Sequence, residues 1–247
     1  MHPTLFKCVP KGPRSRRYRK STIWGNFIDL REWALSVKAM GHSLAPTLFM
    51  EGMTPRRISR LRNLHLQNII NPVCERTRDS EVVVLKQCLQ LYGNAIDACA
   101  GTGSLARSVV ALYGDQLQEM WTQDIDVQHK GLNSYVDSLA CSITGFDIII
   151  FSPPFPMADL FLVWAVNQDV PLVIMHVAGD FFTNAPEYRR TYLQPYEHNG
   201  RLLIVNGLPL VKGRNIRRCI FLVLFRDRYS VDRHLIHGAS CTVYHNK

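Results

Sequence analysis

The stretch Ala95-Ile96-Asp97-Ala98-Cys99-Ala100-Gly101-Thr102-Gly103-Ser104-Leu105-Ala106 decides the fold. It reads as a strand, a glycine turn and the first turn of a helix. The glycines suit a tight turn whose backbone a ligand must approach closely. Gly101 to Ala106 fits the dinucleotide pattern GxGxxG/A, and Asp124, 21 residues after Gly103, suits a carboxylate that binds a ribose. Asp97 argues for a different ligand. At the end of the strand, four residues before Gly101, its carboxylate opposes a pyrophosphate but attracts an amino-acid ammonium.

From Asn94 onward, short apolar runs alternate with helical stretches, which is the pattern of an α/β sheet with crossover helices. The runs predict strands over Ala95–Cys99, Glu119–Gln123, Phe146–Phe151, Leu172–His176, Arg201–Val205 and Cys219–Phe225. Helices are predicted over Leu105–Tyr113, Ala158–Asn167 and Pro186–Leu193. The connection between the last two strands is short and carries Pro209 and Gly213, so these strands are expected to pair antiparallel. The predicted fold is therefore an α/β, mostly parallel sheet with an antiparallel final strand.

The run Phe146–Phe151 stops at Ser152-Pro153-Pro154-Phe155. Two prolines fix the backbone just past the carboxyl end of a strand, where α/β sheets bind ligands. A rigid turn there offers the Ser152 hydroxyl and the Pro153 carbonyl as fixed acceptors, with Phe155 as a stacking surface. A planar ring bearing an amino group fits all three.

Asp97-Ala98-Cys99-Ala100-Gly101-Thr102-Gly103 resembles the cofactor motif of class I S-adenosylmethionine-dependent methyltransferases. Ser152-Pro153-Pro154-Phe155 resembles the [DNS]PP[YF] motif of amino-methyltransferases that act on adenine N6 or cytosine N4. The motif order is similar to that of the gamma-type adenine-N6 enzymes, including small phage-type members. The resemblance covers about residues 93–228 and implies a Rossmann-like core with S-adenosylmethionine as cofactor. It also implies that Asp97, Ala98, Gly101 and Gly103 line the methionine end, that Asp124 binds the ribose, and that Asp137 receives the cofactor adenine's amino group. Ser152, Pro153, Pro154 and Phe155 are the implied catalytic set. Motif order favours adenine, whereas Ser at the first motif position is typical of cytosine-N4 enzymes.

Outside this core, charge is informative. Residues 1–62 hold 13 Lys/Arg against 3 Asp/Glu, while the chain as a whole has 29 against 20. The basic excess is thus wholly N-terminal, and clustered Lys/Arg gain affinity for polyanions by releasing counterions. Residues 1–22, with Arg16, Arg17, Arg19 and Lys20, read as a basic arm without a core. Residues 23–92 read as a helical basic region. Within it Phe27–Met40 has helical spacing, Thr54-Pro55 opens a helix carrying Arg56, Arg57, Arg60 and Arg62, and a third helix over Val82–Leu91 ends at Gly93. Residues 93–229 form the core and 230–247 a tail. Arg214 and Arg217, beyond a Gly-Leu-Pro turn, add a further candidate phosphate contact.

The seven cysteines have no CxxC pairing or zinc spacing, which predicts reduced thiols in an intracellular protein and no metal. No apolar run is long enough to span a bilayer. The acid-free, arginine-rich N-terminus suits a nucleic-acid arm, a nuclear address or an organellar transit peptide equally. The expected partner is DNA or RNA, with room for a protein partner that confers specificity because no large target-recognition domain fits. A dinucleotide-dependent oxidoreductase, a non-catalytic methyltransferase-like subunit and a protein-glutamine methyltransferase remain alternatives.

Overall fold

The computed structural model describes residues 44–72, 79–126, 128–206, 219–236 and 242–243. Its first helix, α1 (Pro55–Ile70), starts as the sequence predicts: the Thr54 side chain accepts from the Arg57 amide at 3.2 Å, and Pro55 fills the first turn. Then follow α2 (Asp79–Cys88), β1 (Gly93–Asp97), α3 (Ser104–Tyr113), β2 (Leu117–Asp124) and β3 (Ser134–Tyr135). The chain continues through β4 (Ile148–Phe151), α4 (Ala158–Val166), β5 (Leu172–Ala178), α5 (Asp180–Thr183) and α6 (Glu187–His198). It closes with β6 (Leu202–Asn206), β7 (Cys219–Phe225), α7 (Arg228–His234) and β8 (Thr242–Val243).

The strands form one sheet of order β3-β2-β1-β4-β5-β7-β6-β8. Neighbours from β3 to β5 are parallel, and β7 runs antiparallel between β5 and β6. The expected reversed strand is thus present, and it lies inside the sheet. Chain order reverses between β1 and β4: from β1 the chain moves outward to β2, and from β4 it moves the other way to β5. The carboxyl ends of these two strands therefore flank a topological switch point, where open α/β sheets bind ligands.

Both faces of the sheet are covered, which explains why β4 is apolar at every position. Ile149 and Phe151 face one core with α1, α4 and α6, through Leu61, Leu160, Leu162 and Leu193. Ile148 and Ile150 face the other with α2, α3 and α7, through Val82, Leu85, Val109 and Val231. Residues 44–70, expected as a separate basic region, place Leu44, Leu48, Met50, Met53 and Leu61 in the first of these cores. The segment after 229, expected as a tail, completes α7 and adds β8 to the sheet edge. A two-residue strand has no periodicity to read, so β3 and β8 both escape a sequence reading. The helix expected over Val82–Leu91 stops at Cys88 because Leu89 turns into a β-bridge with Leu235. Cys88 is disulfide-bonded, which corrects the expectation of thiols throughout, while Cys99 and Cys141 are thiols. Residues Phe27–Met40, the arm arginines Arg16, Arg17 and Arg19 with Lys20, and Arg214 and Arg217 lie outside the described residues. Among the described residues, no helix is long and apolar enough to cross a membrane.

Candidate functional site

At the end of β1 the chain turns through Ala100, whose amide donates to the Gln123 carbonyl at 3.0 Å. Gly101 and Gly103 have φ of 52° and 75°, a left-handed geometry that a β-carbon disfavours. Gly103 caps α3, so the helix N-terminus points into the loop. The Gly101 amide donates to Asp124 Oδ2 at 2.7 Å, and Asp124 Oδ1 accepts from the Asp126 amide at 2.8 Å. Asp124 therefore ties the end of β2 to the glycine loop. Its carboxyl is raised by burial, against the pull of those two amides.

Asp97 is fully buried, and only one of its oxygens is served: Oδ1 accepts from the Cys99 amide at 3.2 Å, while Oδ2 has no hydrogen-bond partner. Burial, with the Asp124 charge adding to it, raises its carboxyl to about 8 against the pull of the Cys99 and Ala106 amides. A buried carboxylate oxygen without a partner costs about 1–3 kcal/mol or more, which a bound cation would remove. The donor set thus fits an ammonium, as the sequence suggested. Cys99 sits among the acids: burial first, then the charges of Asp124, Asp97 and Asp137, push its thiol well up. The fold therefore gathers all three carboxylates expected to hold a cofactor.

Asp137 is buried as well, and it is already engaged. Its Oδ1 accepts from the Leu139 amide at 3.1 Å, and its Oδ2 lies 2.7 Å from His65 Nε2 on α1. Ser138 next to it donates to the Ala98 carbonyl at 2.6 Å and accepts from Gln123 Nε2 at 2.8 Å, which fastens this loop to β1 and β2. Asp126 is buried in the turn after β2, where its Oδ1 accepts from the Gln128 amide at 3.0 Å.

Across the switch point, Asp97 pairs with Ile150 of β4, so Ser152 emerges two residues beyond that register. Ser152, Pro153 and Pro154 are buried and Phe155 is half-buried in a short 3-10 turn, Phe155–Met157. The Met157 amide returns to the Pro154 carbonyl at 2.8 Å, and among the described residues nothing donates to the Pro153 carbonyl. Ser152 Oγ lies 3.1 Å from His176 Nδ1 of β5.

One more buried group holds this turn. Asp159, in the first turn of α4, has zero exposure and takes Arg189 Nε at 2.6 Å, Arg57 Nη2 at 2.7 Å and the Tyr188 hydroxyl at 3.1 Å. Burial alone would raise its carboxyl, but Arg189 and then Arg57 outweigh it and hold it below the ordinary value. Arg57, expected on a phosphate-binding face with Arg56, Arg60 and Arg62, is therefore turned inward. The helical phase explains this, because Arg57 lies nearer the Leu61–His65–Ile69 side that faces the core. Arg56, Arg60 and Arg62 stay exposed, and Arg62 stacks over Phe49 at 5.3 Å. A 340 Å³ cleft lined by Val170, Tyr196 and Arg226 opens at the opposite end of β5, away from these residues.

His65, His176, Asp159 and Ser138 carry no local signal in the sequence, since their partners come from other elements. Glu81, His176 and Cys219, from α2, β5 and β7, bring one ligand atom each within 4.8 Å of one another, a grouping that residue spacing does not show.

A parallel sheet with β7 reversed between β5 and β6, a glycine loop after β1 and a topological switch point between β1 and β4 define the Rossmann-like fold of class I methyltransferases. No protein-family model matches the chain, and no curated protein does. Among solved structures it is similar to a dimethyladenosine transferase from Plasmodium falciparum, at 10% identity over 64% of each chain with a TM-score of 0.44. It is similar to the 23S rRNA methyltransferase ErmE at 14% identity, over 62% of this chain and 69% of that one, with a TM-score of 0.43. A type I restriction-modification methyltransferase subunit from Streptococcus thermophilus shows 14% identity over 72% and 46% of the two chains, with a TM-score of 0.42. The chain thus spans a little under two thirds of the first of these proteins. The strand order, rather than these similarities, assigns the fold.

Proposed function

We propose that this chain transfers a methyl group from S-adenosylmethionine to the exocyclic amino group of a nucleic-acid base, with adenine N6 as the favoured position. The observation that carries the reading is the juxtaposition, on adjacent strands, of a buried carboxylate with an unpaired oxygen and a Ser-Pro-Pro-Phe turn. Asp97 holds the amino-acid ammonium, with the glycine loop and the N-terminus of α3 beside the methionine end. Asp124 takes the ribose hydroxyls. Asp137, with a lone pair on each oxygen still open beside His65 and Leu139, accepts from the adenine amino group. The cofactor, when bound, would supply an electrophilic methyl group and leave as the neutral thioether, and the proton displaced from the methylated nitrogen would pass to water.

An aromatic amino nitrogen is a poor nucleophile because its lone pair is delocalised into the ring. Ser152 Oγ and the Pro153 carbonyl accept its two hydrogens at fixed positions, which localises that pair and aims it. Phe155 carries the face of the target ring. Rate then comes from orientation and preorganised dipoles rather than from a strong base. In a duplex the base must first leave the stack, at a few kcal/mol.

The test is methyl-labelled cofactor with duplex and single-stranded DNA and with structured and unstructured RNA, followed by digestion to nucleosides. Label is expected in N6-methyladenosine or its deoxy form. Ser152→Ala should lower turnover roughly tenfold, the size of one lost hydrogen bond in a desolvated site. Phe155→Ala should lower kcat/KM roughly 10- to 100-fold, as expected for a lost stacking surface. Label in N4-methylcytosine would instead assign the target to cytosine. No label in any polymer despite cofactor binding would sink the reading.

The nucleic acid lies along the exposed basic side of α1, next to the proline turn, with the arm arginines and Arg214 and Arg217 adding phosphate contacts. Arg56 and Arg60 are one turn apart and point outward, whereas Arg57 belongs to the core. The double variant Arg56→Ala/Arg60→Ala should reduce the slope of log affinity against log salt by about 2, roughly one per phosphate contact. An unchanged slope would remove α1 from the interface.

A further inference from the structure

We infer that His176 is a positioning residue that fixes the Ser152 hydroxyl as an acceptor, with Glu81 setting the imidazole tautomer. The inference rests on the proposed methyl transfer and deepens it. It answers a difficulty in that reading: a serine hydroxyl has one hydrogen as well as two lone pairs. If the hydrogen points at the target amino group, it meets another donor, and the turn repels the substrate. Something has to hold the hydrogen elsewhere.

The structure provides that holder. Ser152 Oγ is 3.1 Å from His176 Nδ1, and both side chains are buried. On the far side of the ring, Glu81 Oε1 lies 3.5 Å from Nε2. A carboxyl oxygen on that side favours the tautomer with its proton on Nε2, which leaves the Nδ1 lone pair facing Ser152. Ser152 then donates its hydrogen to Nδ1, and both lone pairs of Oγ face the crevice. In the opposite tautomer, Nδ1–H would donate to Oγ and release the serine hydrogen towards the substrate. The tautomer thus decides whether the turn accepts or repels an amino group. It also compensates for what Ser152 lacks relative to a carboxylate at this position, because Glu81 polarises the hydroxyl through the ring.

The ring is held in orientation. Its centroid lies 5.0 Å from that of Phe221 on β7 and 6.4 Å from that of Phe155, at 60° to the latter. Among the described residues, the polar and titratable groups around it include Ser152 from the proline turn, Glu81 from α2 and Cys219 from β7. Because Phe155 meets the same ring edge-on, a change at His176 acts on both the acceptor and the stacking surface.

The experiment has two arms. The first is the ¹⁵N spectrum of His176 in the full-length protein without substrate. Nε2 should carry the proton and Nδ1 should show a hydrogen-bonded lone pair whose resonance moves in Ser152→Ala. Protonated Nδ1 would overturn the inference whatever the enzyme's activity. So would stoichiometric zinc that is lost in Cys219→Ser, since Nε2 would then be a metal ligand.

The second arm is kinetic. His176→Leu should lower kcat roughly tenfold, about as much as Ser152→Ala, with cofactor affinity unchanged. His176→Asn, whose amide oxygen can stand near the Nδ1 position, should recover most of that loss. In a Ser152→Ala background, His176→Leu should add less than about twofold, because the two act as one unit. Equal losses in the Leu and Asn variants, with a parallel fall in melting temperature, would make His176 a core residue only. A wild-type protein that methylates no polymer would overturn the methyltransferase reading while leaving the tautomer result to stand or fall by itself.

Discussion

Replacing Asp159 by alanine is expected to lower stability by roughly 3–5 kcal/mol, a fall in melting temperature of roughly 6–20 °C for a chain of this size. The carboxylate is wholly buried and is met by two guanidinium groups, of which Arg189 is nearly buried and Arg57 one quarter exposed. Removing it leaves two positive charges facing a cavity, and among the described residues Arg189 keeps the Phe181 carbonyl, at 2.5 Å, and the Phe181 ring. Arg57→Ala should cost much less, because that side chain reaches solvent and Arg189 still serves the carboxylate.

The pH dependence follows from the sign of the shift. A carboxyl held below its ordinary value is stabilising at neutral pH, and that contribution is lost as pH falls from about 4 through the native value. The Asp159→Ala variant should therefore lose part of the acid sensitivity of the wild type. A melting temperature within about 2 °C of wild type would show that solvent already screens these charges. Because Asp159 lies two residues beyond the Phe155–Met157 turn, activity should fall further than stability alone explains.

The second large effect is expected at Asp97. Asp97→Ala should weaken S-adenosylmethionine binding roughly 100- to 1,000-fold, the usual size of losing one partner from a buried charged hydrogen bond. Binding should also be linked to protons. With its carboxyl at about 8, Asp97 is protonated at pH 6.5 in the free protein, while an arriving ammonium requires the charged form. Cofactor binding at pH 6.5 should therefore release close to one proton per site, read by calorimetry in buffers of different ionisation enthalpy. Affinity should rise towards pH 8. Asp97→Asn should abolish both effects, and an unaltered enthalpy across buffers would remove Asp97 from the cofactor site.

The same group bears on folding with the opposite sign from Asp159. A carboxyl whose native value is raised stabilises most below about 4 and loses that contribution as pH rises towards 8. Cofactor affinity and the stability of the free protein are thus expected to move in opposite directions across neutral pH. That is a common property of sites held ready for a charged ligand.

Much of this was legible in the sequence wherever the signal is local. The glycine loop, the proline turn, the six longer strands and the reversed strand β7 all come from runs of neighbouring residues. The residues that hold these parts in place were not legible. Asp159 meets Arg57 across 102 residues and Arg189 across 30, while His65 meets Asp137 across 72. His176 sits in a run of apolar residues where nothing marks it as a partner for Ser152. Arg57 illustrates a different limit. Its residue type and neighbours put it with the basic face, and only the angle at which α1 docks turns it to Asp159. Asp137 lies in the loop after β3, and nothing among its neighbours in the chain marks that His65 of α1 holds it.

Helix α1 is made before any of the strands it joins. A helix of 16 residues is marginal by itself in water, and the two polar ties that seat this one lie 72 and 102 residues further along the chain. During synthesis it must wait for β3 and the loop after it, and then for α4. Contacts between such distant parts of a chain form late and slowly. The helix that joins the Asp137 loop to the start of α4 is thus translated before either and settles late. A shortened protein starting after residue 70 would build the sheet but leave both halves of the crevice without their common brace.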